Sequence, residues 1–226
     1  AIDYLEKALE LSQDEPLIFH NLGESYTGKR EMEKAILMYE KALSLDDKDP
    51  EIWKGIGKAY KVSGNYNKFT EAFEKSIEIN PLDKEVWLAL GIEKSRKKEY
   101  VQSVACIQKA IDIKPDYFEA YRSLGWINEE LGNFEETIGY AKKVIEIKPL
   151  DKESHLLLGL TYFDMNNFSE ALKMFDQALE IAPDYYRAYY SKGNVFQREG
   201  KFPLAIQNYQ KALEFGMEPN LYLDSG

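Results

Sequence analysis

The sequence predicts an all-α solenoid of stacked antiparallel helix pairs. The first observation is a strict period. Gly23, Gly57, Gly91, Gly125, Gly159 and Gly193 recur at a constant interval of 34 residues. With 14 glycines in 226 residues, five further coincidences at one step have a chance probability of about one in a million. The second is helical spacing around each glycine. With the glycine at position 8 of a 34-residue unit, apolar residues recur at positions 4, 7 and 11 on the same helical face. The third is punctuation, with turn formers at position 15 and prolines at position 32.

The elements follow in order. Residues 1–15 read as the second helix of a truncated unit, with Ala1, Leu5 and Ala8 at positions 20, 24 and 27. Full units are 16–49, 50–83, 84–117, 118–151, 152–185 and 186–219, and residues 220–226 begin a further first helix. Each unit is expected to hold two helices of about twelve to fourteen residues. Position 4 carries Phe19, Trp53, Trp87, Tyr121, His155 and Tyr189. Position 7 carries Leu22, Ile56, Leu90, Leu124, Leu158 and, out of pattern, Lys192. Gly64, Gly132, Gly200 and Asn166 at position 15 suit a left-handed helix end. Arg30 and Lys98 stand there too, at a cost of about 1 kcal/mol each if the turn is kept. Second helices carry small residues at positions 20 and 27 and larger ones at 24, such as Tyr39, Phe73, Phe175 and Tyr209. Pro81, Pro115, Pro149 and Pro183 stop them. Pro203 falls in the first turn of a second helix, where its missing N–H costs nothing.

Three departures carry expectations. Phe69 replaces a small residue and should splay unit 50–83. Thr137 and Ala141 invert the small and large order in unit 118–151. Lys94 and Asn128 vacate the aromatic of position 11.

This pattern resembles the tetratricopeptide repeat family. The residues that carry the resemblance are the aromatics at position 4, Leu-Gly at 7–8, Tyr26, Tyr60 and Tyr162 at 11, Ala35, Ala171 and Ala205 at 20, and the prolines at 32. The resemblance implies a right-handed superhelix with a concave face lined by first helices, used for protein–protein interaction. Some members hold chaperone C-terminal carboxylates through a lysine at position 5 and an asparagine at 9. Here Lys54 is followed by Lys58, and the next units offer Ala89, Glu119 and Ser123, so that pattern is absent. Protein O-glycosyltransferases of the family carry asparagines at position 6, where this chain has only Asn21.

Composition narrows the function. The formal net charge is -10, and both halves are acidic, which disfavours a nucleic-acid partner. No apolar stretch approaches the length of a membrane span. One cysteine and two histidines leave no disulfide framework and little imidazole chemistry. His20 and His155 lie four units apart, and His155 occupies a core position; Cys106 reads as a buried thiol. The expectation is a non-enzymatic chain with no cofactor and no metal. Beginning inside a repeat without methionine, it reads as a fragment of a longer protein. The cytoplasm is the default location.

What remains is surface. Positions 5, 9 and 12 form one stripe on the first helices. The expected peptide groove comprises Leu88, Ile92, Arg122, Trp126, Leu156, Leu160, Phe163, Tyr190 and Asn194. Glu85, Glu119 and Glu153 would form an acidic rim. The expected partner is a protein or peptide segment, apolar or amphipathic, with basic flanks. The alternatives are the substrate-recruiting arm of a larger enzyme, such as a protein glycosyltransferase, and self-association through uncapped ends.

Overall fold

The computed structural model describes residues 2–11 and 15–216. Those residues form thirteen helices and no strand. They are α1 (Ile2–Leu11), α2 (Pro16–Gly28), α3 (Met32–Leu45), α4 (Pro50–Val62), α5 (Tyr66–Ile79), α6 (Lys84–Arg96), α7 (Tyr100–Ile113), α8 (Phe118–Glu130), α9 (Phe134–Ile147), α10 (Lys152–Asp164), α11 (Phe168–Ile181), α12 (Tyr186–Arg198) and α13 (Phe202–Glu214). Residues 220–226, read as a further first helix, lie outside the described residues. The chain divides into two compact units, 1–115 and 116–226.

The helix ends show why the period is so regular. Each first helix, α2 and the even-numbered helices after it, is 13 residues long. It closes on a left-handed residue at position 15: Arg30, Gly64, Lys98, Gly132, Asn166 or Gly200, with φ between 59° and 79°. The next residue's N–H then returns to the carbonyl five residues back, as from Asn65 to Tyr60 (2.8 Å) and from Asn167 to Tyr162 (2.7 Å). Arg30 and Lys98 keep this turn in spite of their side chains. In the loop before the next unit, the position 4 side chain ties to the position 32 carbonyl. Trp53 Nε1 donates to Asp47 O at 2.8 Å and Trp87 Nε1 to Pro81 O at 2.9 Å. His155 Nε2 lies 3.2 Å from Pro149 O, so this buried histidine replaces a tryptophan in the same contact.

The core of each unit is a series of helix crossings over the position 8 glycines. A methyl group on Gly57 would stand 2.4 Å from the Phe73 ring, and one on Gly159 would stand 2.3 Å from the Phe175 ring. The side chain at position 24 therefore lies on the bare backbone at position 8, and close packing of this kind leaves no spare volume. The far side of Tyr39 meets position 6 of the following repeat. Tyr39 would come within 2.5 Å of a methyl group on Gly55.

That shared space explains unit 118–151. Ala141 leaves the crossing empty, and Leu157, at position 6 of the next unit, fills it from the other side. Leu157 is fully buried, and its Cδ2 would lie 2.8 Å from a methyl group on Gly125.

Two other departures resolve differently. Phe69 does not splay its helices. Its ring is fully buried, 4.5 Å from that of Phe73, and a methyl group on Gly57 would still come within 3.4 Å of Ala72. Lys192, out of pattern at position 7, reaches out of the core to an ion pair with Asp176.

Candidate functional site

Each compact unit carries part of the expected stripe, and burial sorts its residues. In the first unit, Leu88 is buried and Ile92 is 44% exposed. Glu85 is exposed, with its carboxylate 3.0 Å from Lys54 Nζ. In the second unit, Leu156 has no exposed surface and packs in the core cluster with Phe175 and Tyr185. Leu88 and Leu156 are therefore wall residues and not open anchors. Trp126, Leu160 and Phe163 are half-buried and lean on the cores beneath them. Guanidinium groups cover two of the rings, Arg187 at 5.4 Å over Trp126 and Arg198 at 5.7 Å over Phe163. Tyr190 packs on Tyr209, whose hydroxyl stands 2.8 Å from Asn194 Oδ1.

The acidic rim is partly neutralised. Glu153 pairs with Arg187 at 3.1 Å and Glu85 with Lys54, while Glu119 is half-buried. Arg122 belongs to a helix-capping network. Its guanidinium donates to Asp151 at 2.9 Å, and Asp151 in turn accepts from Ser154 N and Oγ at the start of α10. Lys54 repeats the arrangement with Asp83, at 2.8 Å, where Asp83 caps α6.

Position 5 is thus coupled to position 34, just ahead of the next first helix. A cation at 5 goes with aspartate at 34, and Leu156 at 5 goes with Tyr185 at 34. The sequence holds this signal, because Asp83 and Asp151 alternate with Tyr117 and Tyr185. Taken helix by helix, the stripe hides it.

A polar cavity of about 120 Å³ in the first unit, which no sequence motif marks, is lined by His20, Glu24, Thr27, Tyr39, Glu51, Lys54, Gly55 and Lys58. It exists because Gly55 has no side chain and the Tyr39 ring forms its floor. Burial pushes the Tyr39 hydroxyl up to about 12, so it stays a neutral donor or acceptor.

Two carboxyl sites respond to pH in opposite senses. Partial burial would raise Asp83, but the Lys54 ammonium and two backbone N–H groups outweigh it and hold it below its usual value. Lys54 likewise holds Glu85 low. Their contribution to stability is complete above the usual carboxylate range and is lost as pH falls through it. Glu129 on α8 is pushed up to about 7, first by burial and then by the facing Asp164 of α10. Its contribution is complete in acid and is lost as pH rises through about 7. Urea midpoints measured against pH should therefore fall on both sides of a maximum near about pH 5. Glu129→Gln should flatten the neutral limb alone, and Lys54→Met should flatten the acid limb. A neutral limb unchanged in Glu129→Gln would contradict this assignment.

None of the pairs above joins a nucleophile to a base. Among the described residues no group of three or more His, Cys, Asp or Glu is placed to hold a metal ion. Among them, too, no helix is long and apolar enough to cross a membrane.

Family models described as tetratricopeptide repeat match residues 18–51, 50–81, 84–117, 118–149 and 156–218. No curated protein matches the chain significantly. Among solved structures, the chain is similar to YrrB, described as a TPR protein with an unusual peptide-binding site. Identity is 25%, over 85% of this chain and 99% of that one, with a TM-score of 0.70. A tetratricopeptide repeat protein from Parabacteroides merdae shares the fold at 18% identity, over 97% of this chain and 87% of that one, with a TM-score of 0.76. MamA shares it at 24% identity, over 71% and 94%, with a TM-score of 0.62. With its helix pairs, glycine crossings and repeat matches along most of its length, the chain belongs to the tetratricopeptide repeat family.

Proposed function

We propose that this chain is a non-enzymatic cytoplasmic scaffold, built from the repeats 16–49 to 186–219, whose first-helix faces hold a segment of a protein partner. The tetratricopeptide repeat fold is generally an interaction scaffold and not a catalyst. The observation that carries the reading is Trp126. It lies on a first-helix face, outside the crossings that hold the helices together, and is only half-buried. Leu160 and Phe163 extend the apolar surface beside it, and Ile92 offers a smaller one in the first unit. A contiguous apolar surface rimmed by charge suits a protein partner. The peptide-binding site of YrrB lends support by analogy. The carboxyl groups of Glu129 and Asp164 and the net charge of -10 favour basic residues beside the apolar anchors and disfavour nucleic acid.

Trp126→Ala tests the reading. With a partner captured from a lysate and its bound segment mapped, the substitution should weaken binding by about 2 kcal/mol. Because the ring leans on two core clusters, a stability loss of about 1–2 kcal/mol is expected as well. Trp126→Phe separates the two effects, since it retains much of the packing. Unchanged affinity in a folded Trp126→Ala protein would overturn the assignment.

A further inference from the structure

Gly55 is the one glycine at position 6, where the other full repeats carry Asn21, Ala89, Ser123, Leu157 and Ser191. The cavity of about 120 Å³ lies against it, between side chains of α2 and α4. Its floor is the buried ring of Tyr39, and the half-buried His20 ring stands 5.7 Å from that ring. The volume is the liquid share of about four waters. It takes the head of one side chain and is too small for a nucleotide.

Four charged side chains line this space, and one of them is committed. Lys54 Nζ lies 2.8 Å from Asp83 and 3.0 Å from Glu85, with only 12% of its side chain exposed. Among the described residues, Glu24, Glu51 and Lys58 close no salt bridge. Two uncommitted carboxylates therefore stand against one uncommitted ammonium, and Lys58 is an exposed side chain on a flexible stem that can turn to solvent. The Tyr39 hydroxyl, pushed up to about 12 by burial, adds no charge of its own. An anion in the cavity would meet both carboxylates, whereas a cation would be paired by them over an aromatic floor.

We propose that this cavity receives the guanidinium of an arginine from the partner segment, laid on the Tyr39 ring and paired with Glu24 and Glu51. The proposal rests on the reading that first-helix faces hold the partner, and it names the chemistry of one partner residue. A guanidinium suits the site better than an ammonium. It is planar, less strongly hydrated, stacks on an aromatic face, and carries a fork of donors that can reach two carboxylates at once. The net charge of -10 draws such a group in.

The test is a titration of the full chain with N-acetyl-arginine amide, followed by amide NMR. Saturable shifts should gather at His20, Glu24 and Gly55. N-acetyl-lysine amide should bind the same residues more weakly, and N-acetyl-glutamate amide should not bind there. Glu51→Gln should weaken the arginine probe by about fivefold, with Glu24→Gln acting in the same direction. Lys58→Met, which removes the competing cation, should tighten it by about threefold. Glu33→Gln makes the same charge change on α3, away from the cavity, and should leave the affinity unaltered. No saturable shift, a preference for the glutamate probe, or an affinity indifferent to both Glu24→Gln and Glu51→Gln would overturn the proposal. The probe needs no partner, so the two readings fail separately. A partner lost with Trp126→Ala from a chain that ignores the probe would sink the cavity alone, and a chain that binds the probe here but holds its partner elsewhere than on the first helices would sink the scaffold reading.

Discussion

Leu157→Ala is expected to lower the stability of the second unit by about 2–5 kcal/mol, near the upper part of the range for a buried leucine. Leu157 is fully buried and fills the crossing over Gly125 that Ala141 leaves vacant. Collapse into the resulting cavity is opposed by helices already in contact on either side. Elsewhere the same space is filled from position 24, by Phe175 over Gly159, with Ser191 at position 6 of the next repeat, and by Tyr39 over Gly23, with Gly55 there. Ala141→Phe alone should overpack the site against Leu157 and cost about 1–3 kcal/mol. The double variant Ala141→Phe/Leu157→Ser restores the arrangement of the other units. It should be more stable than the sum of the single changes by about 2 kcal/mol or more. Denaturant midpoints of the four proteins check this, and strict additivity would refute the shared volume.

Gly159→Leu is expected to cost about 3 kcal/mol or more, at the severe end for overpacking. The first added carbon would already stand 2.3 Å from the Phe175 ring, which is fully buried and cannot swing away. Gly125→Leu should be milder, about 1–3 kcal/mol, because its nearest obstacle is a leucine methyl group. Thermal melts of the two variants check the order. A Gly125 variant less stable than the Gly159 variant would contradict the crossing geometry.

The fold was legible in the sequence because its determinants are local and periodic. Glycines mark the crossings, left-handed residues mark the turns, and prolines mark the stops, and each acts within one 34-residue unit. The shared volume of Ala141 and Leu157 was half legible. The inversion stood out in the sequence, but its compensation lies 16 residues on, in the next unit. The binding stripe was less legible still. Helical spacing places Leu88 and Leu156 on the same side as Trp126, yet it cannot show that Tyr185 packs with Leu156 in one core cluster. Arg122 looked like a groove residue because its partner, Asp151, lies in a loop that belongs to the next helix start. The division into units 1–115 and 116–226 left no mark on the repeat, whose register runs through that boundary without insertion.

We propose that partners are held on the first-helix faces. Hydrogen exchange of the chain with and without its captured partner tests it most directly. Added protection is expected in α8, α10 and α12, around Trp126, Leu160 and Phe163. Protection confined to the second helices, around Lys142 and Lys173, would contradict it.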